Sequence, residues 1–157
     1  MSDDKKHRYD VRTLWSAGAG GPPRDLDGYS RNHRIEIAGK PTLEGSSDPA
    51  LRGDASRHNP EDLLVAALSS CHMLWYLHLC VMRKVPILAY EDHACGIMAE
   101  TPRPGRFLEA VLRPKVTVAK GADLALAARL HERAHAECFI ANSVNFPVRH
   151  EATLVEA

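Results

Sequence analysis

A charge imbalance, a paired-cysteine motif and a phosphate-binding glycine loop are all missing from this sequence. Twenty basic side chains balance twenty acidic ones, which argues against nucleic acid or an anionic membrane as a partner. The glycine-rich stretch Gly18-Ala-Gly20-Gly21 fits no dinucleotide-binding pattern and indicates a turn. The first ten residues are polar and show no secretory signal, so we expect a cytoplasmic protein.

Long apolar runs are also scarce, although 45% of the residues are hydrophobic. At 157 residues the chain has the length of one ordinary domain, so we expect a single domain over residues 1–157. The one long apolar run covers residues 63–82 and approaches the length of a membrane span. Polar side chains interrupt it at Ser69, Ser70, His72 and His78, so we interpret it as a buried helix.

Four cysteines are present, at positions 71, 80, 95 and 138, and no two of them form a CxxC pair. Without a secretory signal we expect reduced or catalytic thiols rather than standing disulfides. A structural zinc site needs closely spaced ligand pairs, and the nearest approaches, His135-x-x-Cys138 and His93-x-Cys95, are weak. We therefore expect no metal and no organic cofactor.

The hydrophobic pattern predicts an α+β chain with sheet at both ends and two helices. Proline, glycine, serine and aspartate predict a loop over 41–56 and a turn over 101–105. The expected strands cover 7–16, 31–38, 87–100, 106–118 and 146–155, and the expected helices cover 60–84 and 122–138.

The start of the long helix carries several agreeing signals. Asn59 is a good N-cap, and Pro60 suits the first helical position. Glu61 and Asp62 place negative charge at the positive end of the helix dipole, and Pro86 ends the segment. Because the helix is largely apolar on every face, we expect it to be buried on all sides, under a sheet, against a helix or against a second subunit.

Cys71 lies inside this helix and is the first candidate for chemistry. Buried cysteines are usually inert, and a reactive one needs a stabilised thiolate. The helix N-terminus is about 15 Å away along the axis, which is too far for the dipole to act. A cation is therefore needed, and Arg52 lies in the loop that leads into the helix. The upstream candidates are Arg24, Arg31, Arg34, Arg52 and Arg57.

Glu61 and Cys138 each have a functional and a purely structural interpretation. Glu61 precedes Cys71 by ten residues, about 280° around the helix, so the two side chains cannot touch. An arginine could bridge them, or the second copy of a dimer could bring its own Glu61 close; otherwise Glu61 only serves the helix dipole. Cys138 ends the second helix and is either a second reactive thiol or a core or interface cysteine. Cys80 and Cys95 are interpreted as packing residues.

The segment Asn59-Pro-Glu-Asp-Leu-Leu-Val-Ala-Ala-Leu-Ser-Ser-Cys71 resembles the defining motif of the OsmC/Ohr family, the organic hydroperoxide reductases. His135-Ala-Glu-Cys138 resembles that family's second cysteine site. The resemblance implies an OsmC-like fold of antiparallel sheets with a long buried central helix, in an intertwined homodimer. Cys71-His72 and Cys138-Phe139 depart from the Cys-Phe and Cys-Pro pairs common in the family, which indicates an OsmC-related branch.

The resemblance also implies a thiol peroxidase that reduces organic hydroperoxides. Cys71 would be the peroxidatic cysteine and Cys138 the resolving one, joined in a Cys71–Cys138 disulfide that an external dithiol reduces. Glu61 would orient a catalytic arginine, for which Arg52 is favoured and Arg24 stays open. Apolar side chains are expected to favour hydrophobic peroxides. They are Leu64, Leu68, Leu74 and Trp75.

Two other hypotheses remain open at this point. The first is a non-catalytic, ligand-binding or thiol-sensing dimer in which Cys71 oxidises only occasionally. The second is a metal protein that uses Cys71, Cys138 and histidines as ligands, which metal analysis of the purified protein would test.

Overall fold

The computed structural model describes residues 5–157 of the chain. The chain divides into two compact units, Met1–Leu63 and Leu64–Ala157, which we name the N-terminal and the C-terminal unit. The α+β class predicted from the sequence is confirmed. The elements over the described residues are β1 (Arg12–Leu14), β2 (His33–Glu36), β3 (Leu43–Gly45), α1 (Pro60–Met82), β4 (Ile87–Asp92), β5 (Cys95–Ala99), β6 (Arg106–Leu112), β7 (Pro114–Val118), α2 (Leu124–Glu137), β8 (Val148–His150) and β9 (Thr153–Glu156).

The N-terminal unit contains one antiparallel sheet in the order β1-β2-β3. Ile35 of β2 pairs with Thr13 on one side and with Leu43 on the other. Strand β3 lies inside the segment 41–56, which we predicted to be a loop throughout. The strand is only three residues long and is embedded among turn-forming residues, so its own sequence carries little strand signal.

Helix α1 begins where the sequence predicted, at a reciprocal cap. The Asp62 backbone N–H donates to Asn59 Oδ1 at 2.7 Å, and the Asn59 N–H reaches back to Asp62 Oδ2 at 3.4 Å. Two of the orphan N–H groups of the first turn are thereby satisfied. At the other end Lys84 adopts a left-handed conformation, and the Val85 N–H donates to the Cys80 carbonyl.

The C-terminal unit contains two three-stranded sheets, in the orders β4-β7-β9 and β5-β6-β8. Each sheet joins one antiparallel pair to one parallel pair, so the sheets are mixed rather than purely antiparallel. The three strands predicted over 87–100, 106–118 and 146–155 are each divided in two. Each predicted segment forms one strand in one sheet and, after an interruption, a second strand in the other sheet. At two of these interruptions, between β6 and β7 and at the end of β4, the Arg113 N–H donates to Asp92 Oδ1 at 2.6 Å.

The buried stripe of α1 faces two apolar clusters of the C-terminal unit. Leu68 packs with β6 and β8, while Tyr76 and Cys80 pack with β7 and α2. Only four of the 23 helical residues are fully buried. The expectation that this helix is buried on all sides is therefore wrong for the single chain, because Leu74, Val81 and other apolar side chains face outward.

Length and composition alone make α1 a candidate membrane span. An 18-residue window has a mean hydropathy of 1.5, and 22% of it is buried. Core helices of this length pass the same test, so the observation is weak.

Candidate active site

Cys71 and Cys138, 67 positions apart in sequence, meet in the C-terminal unit. Cys71 lies on α1 and is half-buried, while Cys138 caps the C-terminus of α2 with 1% of its surface exposed. The Cys71 thiol adjoins the Cys138 thiol closely enough to raise its pKa, and neither cysteine is in a disulfide. The fold thus brings together two reduced sulfurs that could be joined by an S–S bond.

The environment of Cys138 keeps its proton bound. Burial, first of all, and the adjoining Cys71 thiol raise the pKa of the Cys138 thiol to about 11. The Ala141 backbone N–H opposes this, since it points at the Cys138 sulfur from 3.4 Å. Because the thiolate is the nucleophile, Cys138 is held as a thiol in the reduced protein.

The chain turn after α2 places Cys138 and its neighbours. Cys138 leaves helical geometry with ψ of 108°, and the Asn142 N–H donates to its carbonyl at 3.0 Å. Next along the chain, the Phe139 ring meets Trp75 of α1 edge-to-face, with centroids 5.5 Å apart. Trp75 lies one turn after Cys71, so an aromatic contact runs beside the thiol contact.

Glu61 lies in the N-terminal unit, on the wall of a cavity of about 530 Å³. Its Oε2 atom is buried and has no hydrogen-bond partner among residues 5–157. Arg31 lines the same cavity; its guanidinium lies 4.0 Å above the Tyr29 ring and donates to the Tyr29 carbonyl at 2.7 Å and to the Leu26 carbonyl. The cavity therefore combines a carboxylate, a guanidinium and an aromatic wall.

Arg52, which the sequence favoured as the activating arginine, is engaged elsewhere in the N-terminal unit. Its Nε atom contacts Asp27 Oδ1 at 2.5 Å, and 53% of its side chain is exposed. The cavity wall contains Arg31 and not Arg52, and Arg24 is exposed. The sequence placed Arg31 only among five candidates, because nothing in its local pattern separates it from the others.

The predicted apolar lining is only partly accessible. Leu68 is fully buried, so no substrate reaches it in this structure. Leu74 and Trp75 line a small cavity of about 230 Å³ together with His78. Cys80 packs in the core as expected, but Cys95 is exposed on β5, so its interpretation as a packing residue was wrong.

A buried histidine pair lies in the same unit as the thiols and was not predicted. His72 Nε2 and His131 Nδ1 are 3.0 Å apart, and both rings are buried. Burial, followed by neighbouring histidines, lowers the pKa of His72 to about 4 and that of His131 to about 3. Both imidazoles are therefore neutral near pH 7.

No local sequence signal could have found this pair, because its members lie on different helices, 59 residues apart. The run His131-Glu132-Arg133-Ala134-His135 places His131 one helical turn from His135, not from His72. The same spacing occurs in helical zinc sites. Within residues 5–157, however, no group of three or more His, Cys, Asp or Glu side chains is arranged to hold a metal ion. His131 instead uses its Nδ1 atom on His72.

Residues 53–153 match the OsmC-like protein family. An OsmC-like protein of unknown function from Vibrio cholerae O1 biovar eltor is 30% identical; the match covers 94% of this chain and 100% of that chain with a TM-score of 0.87. No curated protein matches the sequence.

More distant solved structures share the fold. An organic hydroperoxide resistance protein OsmC from Legionella pneumophila is 20% identical over 96% of this chain and 99% of that chain, with a TM-score of 0.65. The organic hydroperoxide resistance protein OhrB of Bacillus subtilis is 18% identical over 94% of this chain and 98% of that chain, with a TM-score of 0.64. The resemblance seen in the sequence is confirmed: the chain belongs to the OsmC-like protein family.

Proposed function

We propose that this protein is a cysteine-based peroxidase that reduces organic hydroperoxides to alcohols. The observation that carries the proposal is that the fold makes neighbours of the Cys71 thiol on α1 and the Cys138 thiol at the end of α2, 67 residues later. The names of the Legionella and Bacillus proteins, both organic hydroperoxide resistance proteins, support the substrate class.

The proposed reaction has three steps. The Cys71 thiolate attacks the O–O bond of the hydroperoxide; with one proton this releases the alcohol and leaves a sulfenic acid on Cys71. The Cys138 sulfur then displaces the hydroxyl group, and its proton leaves with that group as water while the disulfide forms. An external dithiol finally reduces the disulfide by exchange and is itself oxidised to a disulfide.

We propose Arg31, rather than Arg52, as the arginine that Glu61 orients for the reaction. The support is that Arg31 and Glu61 line one cavity, whereas Arg52 is paired with Asp27. Glu61 has a free, buried carboxylate oxygen that can accept a guanidinium N–H and so orient it. In this proposal Glu61 acts through the arginine and makes no contact with Cys71.

We also propose that the working form is a cytoplasmic homodimer. Its support is the exposed apolar surface of α1 and of the turn after α2, where Leu74, Val81 and Phe139 are 62%, 77% and 68% exposed. Exposed apolar patches of this kind mark interaction sites. Light scattering on the purified protein is expected to give twice the chain mass of 17.3 kDa, and a monomer at micromolar concentration would remove this part of the proposal.

Substitution of the two cysteines tests the core of the proposal. Cys71→Ser is expected to abolish consumption of cumene hydroperoxide, because no thiolate remains to attack the O–O bond. Cys138→Ser is expected to allow one oxidation of Cys71 and then to stop, because no second sulfur is available. Cys95→Ser, which removes an exposed thiol, is the matched control and should turn over like the wild type; a fully active Cys71→Ser variant would refute the assignment.

The arginine assignment has its own comparison. Arg31→Gln is expected to slow the first oxidation of Cys71 by about a hundredfold, in the range seen when one preorganised charge contact is removed. Arg52→Gln removes an equal charge from the same unit and is expected to leave the rate close to that of the wild type. The reverse order of the two rates would return the role to Arg52.

A ligand-binding or thiol-sensing protein is the second candidate, and the cavity of about 530 Å³ beside Glu61 favours it. Cavities of this size suit small apolar ligands. Rapid mixing with micromolar cumene hydroperoxide separates the two functions. A peroxidase loses its reactive thiols within seconds and turns over with added dithiol, whereas a binding protein keeps its thiols.

A further inference from the structure

The His72–His131 pair makes a directional connection between helices α1 and α2. His72 Nε2 and His131 Nδ1 lie 3.0 Å apart, and the two rings are nearly coplanar, with an interplanar angle of 5°. Tyr76, one turn after His72, stacks on the His131 ring with centroids 3.8 Å apart. His131 is thus held by two side chains of α1, one through a hydrogen bond and one through stacking.

The pair is enclosed, and its outer nitrogens are unused. His72 Nδ1 and His131 Nε2 are buried without a hydrogen-bond partner over residues 5–157. On the side of β8, the His150 ring lies 5.4 Å from the His72 ring and 5.9 Å from the His131 ring. A buried polar pair contributes less to stability than two well-packed apolar side chains would, but its hydrogen bond has a fixed direction.

The two helices joined by the histidines are the two that carry the thiols. His72 follows Cys71 directly on α1, and Cys138 follows His131 by seven residues, which returns to nearly the same face of α2. His131 and Cys138 therefore lie about 10 Å apart along the axis of α2, at 1.5 Å per residue. Helix α2 already packs against α1 through apolar side chains such as Leu130, and apolar packing is non-directional. The histidine hydrogen bond adds a contact of fixed direction between the two helices.

We propose that His72 and His131 are positioning residues for disulfide formation: their hydrogen bond holds α2 at the angle that keeps the Cys138 sulfur against Cys71. This inference rests on the proposed function, and it concerns only the second chemical step. In that step the Cys138 sulfur bonds to the sulfur of the Cys71 sulfenic acid and water departs. Attack on a hydroperoxide needs Cys71 alone and is not expected to depend on the pair.

Two substitutions of His72 that differ by one methylene group, glutamine and asparagine, should respectively keep and remove its hydrogen bond to His131. The glutamine amide reaches the place of a histidine Nε2 atom, which is the atom His72 uses, whereas the asparagine amide ends one methylene short. His72→Gln should therefore keep the bond to His131. His72→Asn should lose the bond, although its side chain carries the same amide group. His72→Leu is a further variant that loses the bond, for use if the asparagine variant does not fold.

The experiment separates the two chemical steps in reduced protein mixed with one equivalent of cumene hydroperoxide. A sulfenic-acid trap and mass spectrometry of alkylated samples measure the Cys71 sulfenic acid, the disulfide and the sulfinic acid over time. For His72→Asn we expect sulfenic acid at the wild-type rate but disulfide about tenfold to a hundredfold slower, because a misplacement of about 1 Å can cost about a hundredfold. Sulfinic acid should then accumulate when peroxide is in excess, and His72→Gln should restore the disulfide.

A variant that only weakens the fold is the control for a merely structural role. Val116→Ala opens a cavity on the β7 side of the same core cluster and leaves every side chain of α2 in place, and it should keep the wild-type ratio of disulfide to sulfinic acid. The inference is overturned if His72→Asn or His72→Leu forms the disulfide at the wild-type rate, or if Val116→Ala shifts the ratio equally. Wild-type protein that forms no sulfenic acid would instead overturn the proposed function.

Discussion

Acid should destabilise this protein steeply, because two histidines are buried in neutral form. Burial is the main cause that lowers the pKa of His72 to about 4 and that of His131 to about 3, from an ordinary value of 6.5. At a pH between these pKa values and 6.5, both imidazoles are protonated in the unfolded chain but stay neutral in the native protein. The contribution to stability is therefore fully present above about pH 6.5 and is lost as the pH falls toward 4.

The size of the effect follows from proton linkage. Each additional proton bound by the unfolded state lowers the free energy of unfolding by about 1.4 kcal/mol per pH unit. With both histidines, a change from pH 7 to pH 4.5 should remove about 5 kcal/mol. Because a domain of this size is stable by about 5–15 kcal/mol in total, we expect acid to unfold the protein well before its carboxylates are all protonated.

Urea denaturation at half-unit steps from pH 7.5 to pH 4.5 measures this slope. The double variant His72→Leu/His131→Leu removes both titrating rings together and leaves neither with an unpaired partner, so it should fold. We expect its free energy of unfolding to lose about 5 kcal/mol less than that of the wild type over this range. Parallel curves for the two proteins would refute the reasoning, since the two imidazoles would then carry no linked protons.

Three further predictions concern stability and use the same denaturation assay. Asn59→Ala should cost about 1 kcal/mol because it removes the cap of α1, whereas Asn59→Asp should cost little; equal losses would show that the cap bond contributes nothing. Gly53→Ala should cost more than about 2 kcal/mol, because a Cβ atom would lie 1.6 Å from the Ser47 carbonyl oxygen. Gly20→Ala is the control and should be close to neutral, since nothing lies within 4 Å of its Cβ position. A small loss of stability in Gly53→Ala would show that the 48–53 turn can open. Leu68→Ala should cost about 2–5 kcal/mol by leaving a cavity in the core, and a loss below about 1 kcal/mol would indicate that the site collapses around the smaller side chain.

Local signals in the sequence were sufficient for the two helices and the family. The cap of α1 depends on Asn59 and Asp62, which are three residues apart, and the stop depends on a nearby proline. The motif that ends at Cys71 is contiguous as well. Such features are settled by neighbours along the chain, so a reader of the sequence has all of the interacting residues in view.

The division of the long strands was not visible in the same way. Apolar and β-branched residues lie on both sides of Arg113-Pro114-Lys115, so the pattern predicted one strand over 106–118. The break occurs because the Arg113 backbone donates to the Asp92 side chain, 21 residues away, where the chain passes between sheets. A contact of that range leaves no trace in the local pattern.

The sequence by itself determined the α+β class, the start and end of the long helix, and the cysteines worth testing. Only the tertiary structure decided that the thiols of Cys71 and Cys138 are neighbours, that Arg31 rather than Arg52 shares a cavity with Glu61, and that His72 pairs with His131. The physical reason is range: caps and periodicities arise between residues one turn apart, whereas these contacts join elements separated by tens of residues and depend on how the whole chain packs.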